Sequence, residues 1–537
     1  MVLGRSSGEI RYFLYNGNDP VLRLIIACSR MPARIFSVAT IGLDGVPVEV
    51  EVDTLAQGLH HFTLVGLPDA SVKESRDRVS SALKNSGFRP PHQSGRITVN
   101  LAPADLPKQG AVYDLPIALG YLLATDQLGF DPKKRLFLGE LALDGNVRRV
   151  NGVLSAAFFA KGAGVEELYV PEENAAEAAL VPGVTIYPVK HLLALSKHLS
   201  GGEKIPVWER SSESAGIEEA YPFDMAEVRG QEHAKRALEI AAAGGHNVIM
   251  VGPPGSGKTL LARALPSILP SLSMEESLEV TKIFSVSGKL PRGHALVRTR
   301  PFRAPHHSAS AVSLVGGGSD PKPGEVSLAH RGVLFLDEFA EFPKTVLENL
   351  RQPLEDGSVT VSRIRGTHAY PARFTLVAAM NPCPCGYAGD PERMCSCQPF
   401  QAARYREKIS GPILDRIDLQ VTVPRLRIEK LETADRGEPS ADIRVRVEAA
   451  REAQKKRFEG KTFRTNGEMG PDALREYCMV DESSKELLRR AVSELSLSAR
   501  SYHRILKVSR TIADLEGAPD ILAKHIAEAL QYRFKAE

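Results

Sequence analysis

Alternation of hydrophobic and polar positions with a period of two opens the interpretable part of the chain, from Ile35 to Val65. Val46-Pro-Val-Glu-Val-Glu-Val52 is its plainest stretch. A period of two puts successive side chains on opposite faces of a strand, so half-buried strands broken by glycine turns are predicted. Ser71 to Ser86 changes to helical spacing, Arg96 to Leu101 returns to strand, and Asp114 to Ala124 is apolar enough for a buried helix. A second strand-and-helix passage runs to about Leu199. An α/β or α+β domain over 31–200 follows.

Residues 201–221 lose all periodicity and are predicted to be a linker, whose lone Trp208 is free to dock on a neighbour. Over 222–425 the strands become continuously apolar and alternate with helices. That is the signature of a parallel sheet covered on both faces, a three-layer αβα core. Residues 426–537 form the last unit, and from about 470 every apolar spacing is helical, which predicts a C-terminal helical domain. Residues 1–30 fit none of these patterns, so they are expected to be an extension ahead of a native start at Met31.

Length and charge change this picture little. A chain of 537 residues exceeds what one core supports. A hydrophobic fraction of 43% with 25% charged residues is that of an ordinary soluble protein, and a net charge of +3 does not single out a polyanionic partner. No apolar run reaches bilayer-spanning length, so no membrane association is expected. Of six cysteines, four crowd into one short segment, unlike a secreted disulfide framework, which indicates a reducing, cytoplasmic compartment. Cys28 and Cys478 are isolated thiols.

The chemistry concentrates around Gly252-Pro253-Pro254-Gly255-Ser256-Gly257-Lys258-Thr259. This matches G-x-x-x-x-G-K-[ST] between an apolar strand, Val248 to Val251, and a helix from Leu260 to Leu265. Such a loop turns backbone N–H groups and a helix N-terminus toward one polyphosphate. Lys258 reaches its terminal phosphates and Thr259 ligates Mg²⁺. Gly332-Val-Leu-Phe-Leu-Asp-Glu338 is a buried strand ending in two carboxylates. Asp337 suits the Mg²⁺ shell and Glu338 the attacking water.

Three further segments resemble those of AAA+ ATPases. Asn381, at the end of the strand Phe374 to Met380, stands where that family places a water-positioning residue. Gly411-Pro-Ile-Leu-Asp-Arg-Ile-Asp418 resembles the arginine-finger segment, which makes Arg416 the residue that enters a neighbouring subunit's site. Ser498 to Arg504 resembles the second sensor helix, with Arg500 the phosphate-contacting residue and Arg504 second. A finger acting in trans implies a homo-oligomer, a ring.

From about Pro32 onward the chain resembles the ComM/YifB family of magnesium-chelatase-like AAA+ ATPases. The resemblance rests on Phe62 to Asp69, Val72 to Val79, Thr98 to Pro107, Arg303-Ala-Pro-His-His307, Ser327 to Gly332 and Ser498 to Leu515. It implies an AAA+ core with a C-terminal helical lid, ATP and Mg²⁺ as ligands, and a hexameric DNA helicase. That helicase promotes branch migration during recombination of transforming DNA. The first domain resembles the Lon-protease-like fold, through Gly139-Glu140, Val150-Asn-Gly152 and Val170 to Asn174. Where that fold carries its serine and lysine this chain has Gln109 to Asp114 and Val153 to Ala156, so a non-proteolytic module is expected. Ser155 and Lys108 are the remaining candidates, outside the right motifs. The alternatives are a chelatase motor subunit, which lacks the Lon-like domain, an ATP-dependent protease, and a nucleotide-regulated scaffold.

Three features lie beyond the nucleotide motifs. Lys289, Arg292, Arg298, Arg300, Arg303, His306 and His307 fall where the family carries an insert in helix 2, and they are candidates to track the phosphates of single-stranded or branched DNA. Arg444 to Arg464 is a second basic stretch, expected to be a solvated helix face. Cys383-Pro-Cys385 and Cys395-Ser-Cys397 offer four thiolates for one structural Zn²⁺, although each pair is spaced more tightly than usual.

Overall fold

The computed structural model describes residues 31–55, 60–209, 221–318, 322–363, 366–390, 392–426, 437–494 and 498–533. The N-terminal extension, Cys28 and most of the expected linker therefore lie outside the described residues.

The N-terminal part begins with β1 (Ala33–Ile41), β2 (Asp44–Leu55) and β3 (His61–Val65). Alternation decides which face of β2 is inward: Val48, Val50 and Val52 are buried, while Glu49 and Glu51 between them meet Arg34 on the outer face. Helix α1 (Ala70–Asn85), capped by the Asp69 carboxylate on the Val72 N–H, leads to β4 (Arg96–Ala102) and the buried helix α2 (Asp114–Ala124). The sheet runs β1-β2-β4-β3, antiparallel except for β3 beside β4. A second layer follows: β5 (Arg135–Phe137), α3 (Val153–Gly162), β6 (Glu167–Pro171), α4 (Glu172–Ala178), β7 (Thr185–Val189) and α5 (Leu192–Leu199). Here β5, β6 and β7 form a parallel sheet.

Trp208 docks on this part itself. Its N–H donates to the Ile186 carbonyl at 2.9 Å and its ring packs against the cluster around Leu168 and Ile186.

The central part opens with α6 (Glu232–Gly244), β8 (Val248–Val251), α7 (Lys258–Ile268), α8 (Met274–Val286) and β9 (Phe302–Arg303). It continues with β10 (Val333–Leu336), a hairpin of β11 (Ser358–Arg363) and β12 (Gly366–Pro371), then β13 (Thr375–Met380) and β14 (Leu419–Thr422). Every residue of β10 and β13 is buried, as a sheet covered on both faces requires. The five strands are parallel in the order β9-β10-β13-β8-β14. Because β13 enters between β8 and β10, three strand ends meet at one sheet edge.

The C-terminal part is helical: α9 (Ser440–Arg457), α10 (Glu482–Glu494), α11 (Ala499–Leu515) and α12 (Ala523–Leu530). The basic stretch on α9 is largely engaged within the chain rather than solvated. Arg444 donates to the Ser267 carbonyl, Arg451 to the Ala242 carbonyl, Arg446 pairs with Glu239, and Arg457 with Asp514. The first three fasten the helical part to α6 and α7, and the Arg457–Asp514 pair ties α9 to α11. Among the described residues no helix is long and apolar enough to cross a membrane.

Helix α8 also anchors the N-terminal part. The Gly152 N–H donates to Ser285, and the Ser285 hydroxyl donates to Glu177, whose carboxyl burial pushes up. Lys282 meets Asp44 at 2.9 Å, and Arg149 donates to the Leu290 carbonyl at 3.0 Å.

Candidate nucleotide site

The phosphate loop leaves β8 at Gly252 and turns into α7 at Gly257. Gly252 has no room for a side chain, since a Cβ there would fall 2.1 Å from the Val423 carbonyl oxygen at the end of β14. Gly257 caps α7 with φ of +91°, a left-handed conformation that only glycine adopts without strain. The space a Cβ would take at Gly255 and Gly257 is open, so the loop presents backbone rather than side chains to whatever sits above α7.

Lys258 is buried, its ammonium donating to the Gly252 and Pro253 carbonyls at 2.7 and 2.9 Å. Burial pulls its pKa below the ordinary lysine value, and the Asp337 charge opposes that pull. Thr259 donates its hydroxyl to Asp337 at 2.9 Å, which joins the end of the phosphate loop to the end of β10. A hydroxyl and a carboxylate so placed form an all-oxygen donor set, and Mg²⁺ held there would neutralise phosphate charge.

Glu338 follows Asp337 with φ of +51°, an uncommon conformation for a non-glycine residue. Its N–H donates to Asp337 at 2.9 Å, and its carboxylate lies 2.8 Å from Nδ1 of His307. Asn381 follows β13, and its side chain stands 3.9 Å from where a Cβ on Gly386 would be. The fold thus brings Lys258, Thr259, Asp337, Glu338 and Asn381 to one edge.

Arg416 and Arg500 are elsewhere. Asp418, two residues after Arg416, accepts from the N–H of Asn247, and Asn247 in turn donates to the Arg416 carbonyl; Asn247 precedes β8. The phosphate loop follows β8, and a four-residue strand separates its two ends by about 13 Å. Arg416 is buried and ion-paired to Glu355 of the same chain, with its Nη1 on the Pro412 carbonyl at 2.6 Å. Arg500 lies on the same face, exposed and 3.9 Å from Asp415, while Arg504 pairs with the buried Asp418. The expectation that Arg500 contacts phosphate is therefore not met within its own chain. Helix α11 meets the strands' N-terminal edge, where Thr511 bonds His246, so Arg500 and Arg504 stand at the end of the sheet away from the phosphate loop. All three arginines line a cleft of about 1600 Å³ between the core and the helical part.

The basic residues of 289–307 also divide. Arg300 is held by the Pro270 and Arg331 carbonyls and by Glu276, and Arg303 makes a two-pronged pair with Glu325, which Lys289 shares. His307 faces Glu338. These four are engaged inside the chain, which corrects their expected placement along DNA; Arg292 and His306 remain exposed. Of the four, His307 is the one that meets a residue of the nucleotide site, a contact that sequence reasoning did not assign.

In the Lon-like part, Lys108 is buried against the Pro103 carbonyl, and Ser155 donates to the Leu43 carbonyl at 2.7 Å. Each is engaged with a main-chain carbonyl, and they bond to different segments, Lys108 to Pro103 and Ser155 to Leu43. The four cysteines of 383–397 come together, with all their sulfurs within 4.8 Å of one another.

A phosphate loop, a carboxylate-ended strand and a polar-ended strand between them define a nucleotide-binding core of the AAA+ class. Comparison with known proteins narrows this. Residues 224–431 match the model for magnesium chelatase, subunit ChlI; 48–174 match the model for subunit ChlI of Mg-chelatase; and 437–533 match that for the ChlI C-terminal region. The chain is 47% identical to competence protein ComM of Haemophilus influenzae over 506 residues, covering 93% of this chain and 97% of that protein. It is 44% identical to the protein YifB of Escherichia coli over 498 residues, 92% of this chain and 96% of that one. A partial likeness, 30% over 148 residues, links 26% of the chain to 27% of Lon protease 2 of Bacillus subtilis. The chain belongs to the ComM/YifB family of magnesium-chelatase-like proteins.

Proposed function

We propose that this protein is a cytoplasmic ATP-hydrolysing ring motor that acts on DNA and promotes branch migration in recombination. The observation that carries the motor reading is the convergence of Lys258, Thr259, Asp337 and Glu338 at one sheet edge. In this reading Lys258 leaves its loop carbonyls for the terminal phosphates, Thr259 and Asp337 hold Mg²⁺, and Glu338 takes a proton from the attacking water. Asn381 orients that water. Arg416 and Arg500 lie away from the phosphate loop of their own chain, which supports their use at a neighbour's site in a hexamer. Each would offer positive charge as the γ-phosphoryl group departs.

DNA as the client rests on the 47% likeness to a protein named for competence. The Lon-like part serves as a non-proteolytic scaffold, in keeping with the structural engagement of Lys108 and Ser155.

The test is steady-state ATP hydrolysis by the purified protein, alone and with single-stranded or forked DNA. Stimulation by DNA that disappears in Lys258→Ala is the expected result. Hydrolysis indifferent to every DNA form would remove DNA from the working cycle and leave a motor with another client.

A further inference from the structure

We infer that Cys383, Cys385, Cys395 and Cys397 hold one Zn²⁺ as a tetrathiolate, and that the metal fastens the Cys383–Gly386 turn against the phosphate loop. The second half rests on the nucleotide reading above.

The sulfur geometry comes first. The Cys383, Cys385 and Cys395 sulfurs lie 3.4, 3.5 and 3.6 Å apart, and the fourth joins them within 4.8 Å. A tetrahedron with Zn–S bonds of about 2.3 Å has edges of about 3.8 Å. Disulfide sulfurs would be about 2.05 Å apart, so these are four separate thiols gathered around a common centre. The Cys385 N–H donates to the Cys397 sulfur and the Ala388 N–H to the Cys383 sulfur, both at 3.3 Å, and such donors favour thiolate. A set of soft sulfur donors selects zinc over the hard Mg²⁺ of the adjacent site.

Packing makes the same point from the opposite side. Cys383 is fully buried, but residues 392–396, which carry Cys395, are exposed at every position, and Met394 is 96% exposed. Little apolar burial holds that segment against Cys383 and Cys385. Metal–sulfur bonds supply the missing attraction and close the loop. The exposed Cys395 side gives the ion a way in. Binding is a ligand exchange without redox change: the four thiols give up their protons to solvent as the S–Zn bonds form.

The location gives the site its consequence. Gly386 has φ of +87°, and a Cβ there would fall 2.8 and 2.9 Å from Cδ and Cγ of Pro254. Its backbone therefore rests directly on the phosphate loop, while Cys383 follows Asn381 by two residues. Fixing the cysteines fixes the turn that spans Asn381 and Pro254.

Elemental analysis of the reduced, full-length protein should find about one zinc per chain, and less in Cys383→Ser and Cys395→Ser. Stripping zinc with a chelator should weaken binding of a fluorescent ATP analogue about tenfold, and re-adding Zn²⁺, but not Mg²⁺, should restore it. Gly386→Ala should keep its zinc yet bind the analogue more weakly. Lys258→Ala should keep its zinc and lose the analogue, which separates failure of the metal site from failure of the nucleotide site. Metal-free protein whose four thiols all react freely would overturn the site, even if the serine variants fail to fold. Zinc-loaded and stripped protein with equal nucleotide affinity, matched by Gly386→Ala, would overturn the bracing.

Discussion

Lys258 and Glu338 are both held by groups from outside their own motifs or turned back on them, and that determines what their replacement should do. Lys258 donates to two carbonyls of its own loop, so nucleotide phosphates compete with existing hydrogen bonds rather than with water. Glu338 is aimed by its left-handed backbone and by His307 at 2.8 Å. Glu338→Gln keeps the shape and removes the base, so hydrolysis should fall by about 10²-fold or more while nucleotide binding persists. On the proposed function, His307 would act through Glu338 as a positioning residue. His307→Ala should lower kcat about tenfold with KM for ATP little changed. Steady-state kinetics of both variants check this, and a normal rate in Glu338→Gln would reassign the base. The motif residues were readable one by one because their chemistry is tied to fixed spacing. The His307 role was not, since it depends on where the chain after β9 returns relative to β10.

At the scale of elements, the strand ends do the organising. β13 lies between β8 and β10, although in sequence it follows both, and only this order sets Asn381 beside the phosphate loop. Behind the sheet, Asp418 links three elements: it pairs with Arg504 of α11, lies 3.4 Å from the buried His246 ahead of β8, and itself precedes β14. Burial acts to raise its pKa, but Arg504 and then His246 outweigh that and hold the carboxyl well below the usual range. Because the folded value is depressed, the stabilisation is complete above the unfolded value of about 3.9 and is lost as pH falls below it. Thermal unfolding followed with pH should therefore show a fall in Tm below about pH 4. In Asp418→Asn the fall should be blunted, and the variant should be destabilised at neutral pH by about 1–3 kcal/mol as the half-buried Arg504 loses its charged partner. The helices and strands themselves were legible, Asp114–Ala124 to the residue. The basic stretch on α9 was not, because periodicity does not reveal that Arg444 and Arg451 reach carbonyls on α7 and α6.

For the whole molecule, the separation of Arg416 and Arg500 from Lys258 predicts that a complete site needs two chains. Mixing Lys258→Ala protein, which keeps Arg416, with Arg416→Ala protein, which keeps its phosphate loop, should recover part of the hydrolysis that each lacks alone. No recovery at any ratio would place the arginine's effect within its own chain. The docking of the N-terminal part on α8, through Gly152, Ser285 and Glu177, makes that part a neighbour of the AAA+ core.

What the sequence determined by itself is the local: strands and helices set by period, a phosphate loop set by spacing, two carboxylates at a strand end, and four cysteines in one segment. These follow from chain neighbours, whose distances are fixed by covalent geometry. The tertiary structure alone decided which distant groups meet. It turned Arg300 and Arg303 inward to Glu276 and Glu325, set His307 on Glu338, gave Arg416 to Glu355, and carried Arg500 to the face opposite the phosphate loop. A charged side chain has several partners of equal chemical merit in a sequence, and only packing brings one of them within reach.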